Sequence, residues 1–143
     1  NKGIIQSEIY NKVYNENSTS KLMILGKALN SLNVLKEYKT TYMYLKRDEL
    51  KEHNYEKGDT EGVVNYGLSL KNIEFTAMFI EDLEDENLIK ISFRSKNNFP
   101  CNKFAKDNFY GGGHINAAGG KFEGKIDNAI ALFIKKIKEF KFH

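Results

Sequence analysis

The spacing of apolar residues changes several times along the chain, and each change predicts an element. Ile4, Ile5, Ile9 and Val13 recur at helical intervals and predict a short amphipathic helix over residues 4–15. The polar residues 15–20 end it and supply Ser18 or Ser20 as a cap for the next helix. Leu22, Leu25, Leu29 and Leu32 follow at steps of three and four, which predicts a second helix with these leucines turned to the core. Residues 40–45 are rich in threonine and tyrosine and read as a strand. Residues 47–53 read as a short helix. Lys57-Gly58-Asp59-Thr60 breaks the pattern, and Asp59 or Thr60 can cap a helix running to about Leu70. Ile73, Phe75, Ala77 and Phe79 then alternate with Glu74, Thr76 and Met78. The acidic residues 81–86 turn the chain, and Ile89, Ile91 and Phe93 alternate with Lys90, Ser92 and Arg94. This is a hairpin with one buried face and with Lys90, Ser92 and Arg94 on the other.

Pro100 suits the first turn of a helix whose buried stripe is Cys101, Phe104, Ala105 and Phe109. It stops at Tyr110-Gly111-Gly112-Gly113. A short segment over residues 114–118 follows, then Gly119-Gly120 and a brief strand around Phe122. A last helix starts near Ile126. Ile126, Ile130, Phe133, Ile134 and Ile137 form its core face, and Lys135, Lys136 and Lys138 are solvated. The expected fold class is α+β: a mixed β-sheet with flanking helices, preceded by a helical connecting segment. The expected boundary falls within residues 54–59, giving residues 1–55 as a connector with the first strand and residues 56–143 as a compact unit.

The chain has 143 residues, 41% of them apolar, enough for a packed core and too many for a disordered tail. No apolar run approaches the roughly 20 residues that span a bilayer, and no signal peptide is read at the start. Asn1 in place of a methionine, with an apolar stripe already at Ile4, points to a piece of something longer. The single cysteine, Cys101, permits no internal disulfide. A cytoplasmic setting without membrane partners is the simplest expectation. The net charge of +3 admits a small anionic ligand; a duplex-binding surface would carry a stronger basic stripe. Of the 22 basic residues, all but Arg47 and Arg94 are lysines, so either arginine draws notice for its planar fork.

The run Gly111-Gly112-Gly113-His114-Ile115-Asn116-Ala117-Ala118-Gly119-Gly120 carries the richest chemistry. Glycines expose main-chain amides that can surround an anion. A helical turn starting at His114 would add its free N–H groups, and the imidazole can donate to a phosphate oxygen. Small residues at 117–119 allow close approach. A glycine triplet alone is usually a flexible turn, and a lone histidine a surface residue; it is their combination that suggests an anion site. Ser92-Phe93-Arg94-Ser95 is the second element. Phe93 points into the core, so Arg94 faces away from it, free to grip a phosphate or to pair with Glu74 across the hairpin. Ser92 and Ser95 offer hydroxyls. His53 and His143 read as solvated, Cys101 as a small core residue, and Asp82, Glu84, Asp85 and Glu86 as a soluble hairpin tip. No histidine, cysteine or carboxylate cluster has metal-ligand spacing.

Gly111-Gly112-Gly113-His114 with Ala117-Ala118-Gly119 resembles the signature of the DHH-associated domain, the second half of many DHH phosphoesterases. Ser92-Phe93-Arg94-Ser95 resembles its serine–arginine–serine element, and Asp59-Thr60-Glu61-Gly62-Val63-Val64-Asn65 its opening segment. The resemblance covers residues 59–140. Tyr110 departs from it, because many relatives carry a further glycine there. The subgroup it resembles most is the oligoribonuclease and pAp phosphatase type, related to exopolyphosphatases. The resemblance implies that a manganese-binding DHH domain, absent from this chain, performs hydrolysis. This chain would contribute Ser92, Arg94, Ser95, Gly111, Gly112, Gly113, His114 and Asn116 to binding a nucleotide or short single-stranded RNA, with no catalytic residue or metal of its own. A homodimer of the complete protein is a further expectation. Two alternatives are a non-catalytic RNA-binding module, like the end domain of alanyl-tRNA synthetases, and the same fold acting on cyclic dinucleotides.

Overall fold

The computed structural model describes residues 18–141, so the helix expected over residues 4–15 lies outside the described residues. Helix α1 (Thr19–Asn30) is capped by Ser18, whose hydroxyl accepts the Lys21 N–H at 3.1 Å. Strand β1 (Asn33–Leu35) leads through a short 3-10 turn into β2 (Thr40–Leu45), and helix α2 (Arg47–Glu52) follows. Strands β3 (Phe75–Glu81) and β4 (Leu88–Ser95) form the expected hairpin. Helix α3 (Cys101–Asn108), strands β5 (Gly112–His114) and β6 (Ala117–Glu123), and helix α4 (Ile126–Lys141) complete the chain. The strands make one mixed sheet in the order β1-β2-β3-β4-β6-β5, with β2 and β3 parallel and the other neighbours antiparallel. The fold is α+β. The sheet runs through the expected division near residue 55: β1 and β2 belong to it together with β3–β6.

Alternation along the strands gives the sheet two unlike faces. On the first, Phe75, Phe79, Ile89, Ile91, Phe93 and Ala118 pack against Phe104 of α3, Phe109 just after it, and Phe133 and Ile137 of α4. On the second, Met43, Leu45 and Met78 pack against Ile24 and Ala28 of α1, Leu50 of α2, and Val63 and Val64. This second cover lies over β2 and β3. Arg94, Ser92 and Lys90 of β4 share that face, together with their register partners on β6.

Five expectations change. The leucine row of α1 is only partly its core face: Ile24 and Ala28 are fully buried and Leu25 and Leu32 pack partly against the same cluster, whereas Leu22 is 53% and Leu29 41% exposed. Packing against Met43 and Met78 centres the buried face on the Ile24–Ala28 pair, rotated away from Leu22 and Leu29. The helix expected up to Leu70 is a 3-10 helix, Val63–Leu68, entered through Gly62 at φ 79°. It is held close to the sheet because Gly67 has no side chain to meet Thr76, and its carbonyl accepts the Thr41 hydroxyl at 2.9 Å. Asp59 is buried and does not cap that segment; its carboxylate accepts the Ser20 hydroxyl and the Glu56 N–H, each at 2.8 Å. No helical turn starts at His114, because residues 112–114 pair with β6 as a strand. His53, expected in solvent, is half-buried, with its Nε2 enclosed and unpartnered among the described residues.

Candidate functional site

Register decides where the singled-out residues point. Arg94 lies opposite Thr76 on one side and Ala117 on the other, and Ala117 lies opposite His114. Residues opposite one another in a ladder project from the same face. Arg94 and His114 therefore stand on one face, two strands or roughly 10 Å apart, with the methyl group of Ala117 between them. The adjacent rung on that face is Ser92, Gly119 and Gly112.

The glycines divide into two groups. At Gly113, φ is 145° and an added Cβ would lie 2.6 Å from the Ala117 carbonyl oxygen. At Gly111 it would collide with the Gly119 carbonyl, and at Gly120 it would lie 2.9 Å from Phe109. Gly111 and Gly113 are bare because their backbone presses against β6, and Gly120 because it packs on Phe109 at the end of α3. Gly112 has nothing within 4 Å of its would-be Cβ, and Gly119 only the Ile91 carbonyl oxygen at 3.6 Å. Their bareness leaves an open floor beside Arg94 and His114. The amides of this stretch belong to a strand hairpin, so the anion nest expected from the glycine triplet becomes a flat strip.

Arg94 is half-buried. Its Nη1 donates to the Phe93 carbonyl at 2.8 Å and to the Ala118 carbonyl at 3.4 Å. Those bonds lay the guanidinium over β6, and the three N–H groups on Nε and Nη2 form the other edge of its fork. His114 is exposed at the sheet border. Ser92 sits between Arg94 and Lys90 on the same face. Arg47, the second arginine, clasps the β3–β4 turn: its Nε donates to the Asp82 carbonyl at 2.6 Å and its Nη2 to the Asp85 carbonyl at 3.1 Å.

Ser95 and Asn116 are not on that floor. Ser95 is buried opposite Phe75 on the first face, and its hydroxyl meets the Phe99 carbonyl at 2.7 Å and the Ile115 carbonyl at 3.0 Å. The Asn116 amide donates to that hydroxyl at 2.9 Å and to the Asn97 carbonyl at 3.3 Å. Together they fasten the β5–β6 turn to the end of β4, which fixes the distance between Arg94 and His114. Cys101 packs beneath, its sulfur 3.7 Å from the His114 carbonyl, and burial pushes its thiol pKa up. Sequence spacing missed Lys121, which shares the face with Arg94 and lies opposite Lys90. The alternation of β6 would have revealed it had the strand been extended back to Ala117.

Among the described residues, no group of three or more His, Cys, Asp or Glu side chains is arranged to hold a metal ion. No helix of the described residues is long and apolar enough to cross a membrane.

The DHHA1 domain model matches residues 37–140. This chain belongs to the DHHA1 domain family. The DHHA1 fold here is also similar to that of an exopolyphosphatase-related protein from Bacteroides fragilis, with a TM-score of 0.88 and 42% identity over 95% of this chain. The match covers 39% of that protein, so this chain spans well under half of its length. A pGpG-specific phosphodiesterase, PggH, from Vibrio cholerae shares the fold at a TM-score of 0.58 and 13% identity, over 92% of this chain and 40% of that one. No curated protein matches the chain.

Proposed function

We propose that the open half of the second sheet face binds the terminal phosphate of a nucleotide or short oligoribonucleotide, as the substrate-holding part of a DHH-type phosphoesterase. The observation that carries this reading is the shared row of Arg94, Ala117 and His114, above a floor made bare by Gly112 and Gly119. The Arg94 fork takes two phosphate oxygens side by side, the geometry in which arginine exceeds lysine. The His114 imidazole donates to the same group from the opposite side. Ser92 adds a hydroxyl, and the Gly112–Gly119 strip admits the ester between them. Ser95 and Asn116 act as positioning residues.

In this reading hydrolysis belongs to a DHH half beyond this chain, which supplies the metal, manganese by family resemblance. The chain alone binds and does not turn over. The family match and the likeness to the exopolyphosphatase-related protein favour this assignment over a non-catalytic tRNA-synthetase module. Oligoribonucleotides and pAp are the preferred substrate class.

Calorimetric titration with pAp tests the reading. Arg94→Lys keeps the charge and removes the fork, so affinity falls about tenfold, the loss of one charge-assisted hydrogen bond of roughly 1.5 kcal/mol. Unchanged affinity would remove Arg94 from the site.

A further inference from the structure

Helix α1 carries two apolar faces, and the sheet uses one of them. Ile24 and Ala28 are fully buried in the cluster that holds Met43 and Met78. Leu22, Gly26 and Leu29 lie on the adjoining face, with the half-buried Leu25 at its edge. A helix advances about 100° per residue, so these four positions form one continuous stripe. Leu22 and Leu29 are exposed, and Tyr66 of the 3-10 helix, 49% exposed, is a further apolar surface residue nearby. Between α1 and that 3-10 helix runs a groove of about 260 Å³, lined by Leu22, Leu25, Val63 and Tyr66 together with Lys21 and Glu61.

Gly26 supplies an independent observation. Glycine is a poor residue inside a helix, and nothing among the described residues requires it here, because an added Cβ would meet no atom within 4 Å. It sits at the middle of the apolar stripe, between Leu22 and Leu29, and leaves a notch there. The distance at which two helices pack is set by the side chains at their point of contact, so this notch is where a second helix can come closest.

The sequence just ahead of α1, outside the described residues, has the complementary pattern. Ile5, Ile9 and Val13 fall at steps of four, and Ser7 and Asn11 fall on the opposite side of the same helical wheel. The helix expected over residues 4–15 matches the 12 residues of α1 in length. Only Glu16, Asn17 and Ser18 separate the two, within the roughly two to five residues that join antiparallel helices.

We propose that residues 4–15 dock on the Leu22–Leu29 face as an antiparallel helix, forming an αα-hairpin with α1 in which Ile9 fills the notch at Gly26. Folding back about residues 16–18 brings Val13 level with Leu22, Ile9 with Gly26 and Ile5 with Leu29. The Ile5–Ile9–Val13 ridge then lies in the groove between the Leu22–Gly26 and Leu25–Leu29 rows. Two apolar stripes that are adjacent in the chain cover each other, without a second molecule. This hairpin is separate from the Arg94–His114 floor, which lies over β4–β6, and it stands or falls independently of the ligand.

The test uses variants of the full chain. Ile9→Cys combined with Gly26→Cys forms a disulfide within one chain under mild oxidation, identified by mass spectrometry of the linked peptides. Ile9→Cys combined with Lys27→Cys, at the same level on the other side of α1, does not. Thermal melts of Gly26→Leu separate a covered face from an open one by sign. On an open face the melting temperature rises, because leucine is the better helix former; beneath Ile9 the extra side chain overfills the notch and the melting temperature falls by a few degrees. Ile9→Asp and Leu29→Asp each lower it by roughly 5 °C, and the double variant falls no further than the worse single one, since both break the same contact. Equal cross-linking of the two cysteine pairs, a raised melting temperature in Gly26→Leu, or additive losses in the double variant overturns the hairpin. A disulfide between chains, with dimers in sedimentation, overturns it in favour of a second copy on this face.

Discussion

Gly112 and Gly113 are chain neighbours under different constraints. An added Cβ at Gly112 meets nothing within 4 Å, whereas at Gly113 it meets the Ala117 carbonyl oxygen at 2.6 Å with φ at 145°. Gly112→Ala therefore folds with an unchanged melting temperature and weakens pAp binding by narrowing the floor. Gly113→Ala loses on the order of 2 kcal/mol of stability from backbone strain and collision. Thermal melts and calorimetry on both variants separate the two roles; a destabilised Gly112→Ala would mean that the floor is packed, not open. Asp82 sets a second residue-scale prediction. The Asp85 N–H above all, with Lys90 and the Glu84 N–H, holds its carboxyl below the ordinary 3.8 despite partial burial. A depressed folded-state pKa stabilises the fold above the unfolded value, and that contribution is lost as pH falls through the lower folded value. Asp82→Asn keeps an acceptor for the turn and flattens the fall in stability below pH 3.8, readable in melts taken across the acid range. The face on which Arg94 stands was legible from alternation alone, because Phe93 had to face inward. The tasks of Ser95 and Asn116 were not, since they depend on a contact between residues 21 apart in the chain.

Among the elements, the β3–β4 hairpin and α4 followed their apolar spacing closely, because each buries a wide face against the aromatic cluster. Two segments departed for nameable reasons. Around α1, four leucines at helical steps outnumbered Ile24 and Ala28, yet the Met43–Met78 surface buried that pair fully, took Leu25 and Leu32 only in part and left Leu22 and Leu29 exposed. In β5 and β6, glycine and alanine carry almost no hydrophobic signal, so a hairpin with clear pairing read as a loop. Its register, fastened by Ser95 to Ile115 and Asn116, brings His114 to the Arg94 face. A one-residue slip would send the imidazole to the opposite side.

Across the whole molecule, the two faces divide the labour. Phe133 of α4 sits within 5.4–6.4 Å, ring to ring, of Tyr42, Phe75, Phe79, Phe93 and Phe104. Phe133→Ala empties the centre of this cluster and costs about 3–5 kcal/mol, measurable by chemical denaturation; a loss below about 1 kcal/mol, far under the cost of such a truncation, would mean the cluster collapses to refill the space. Because this core lies beneath the sheet, the opposite face, proposed to hold the ligand, can be built over β4–β6 from small and charged residues at little expense to folding. The outer strands, β1 and β5, are each three residues long. So short a border offers too few unpaired amides to recruit a strand from a neighbouring molecule. The same brevity that leaves the glycine strip uncovered also guards the protein against growing sideways into fibrils.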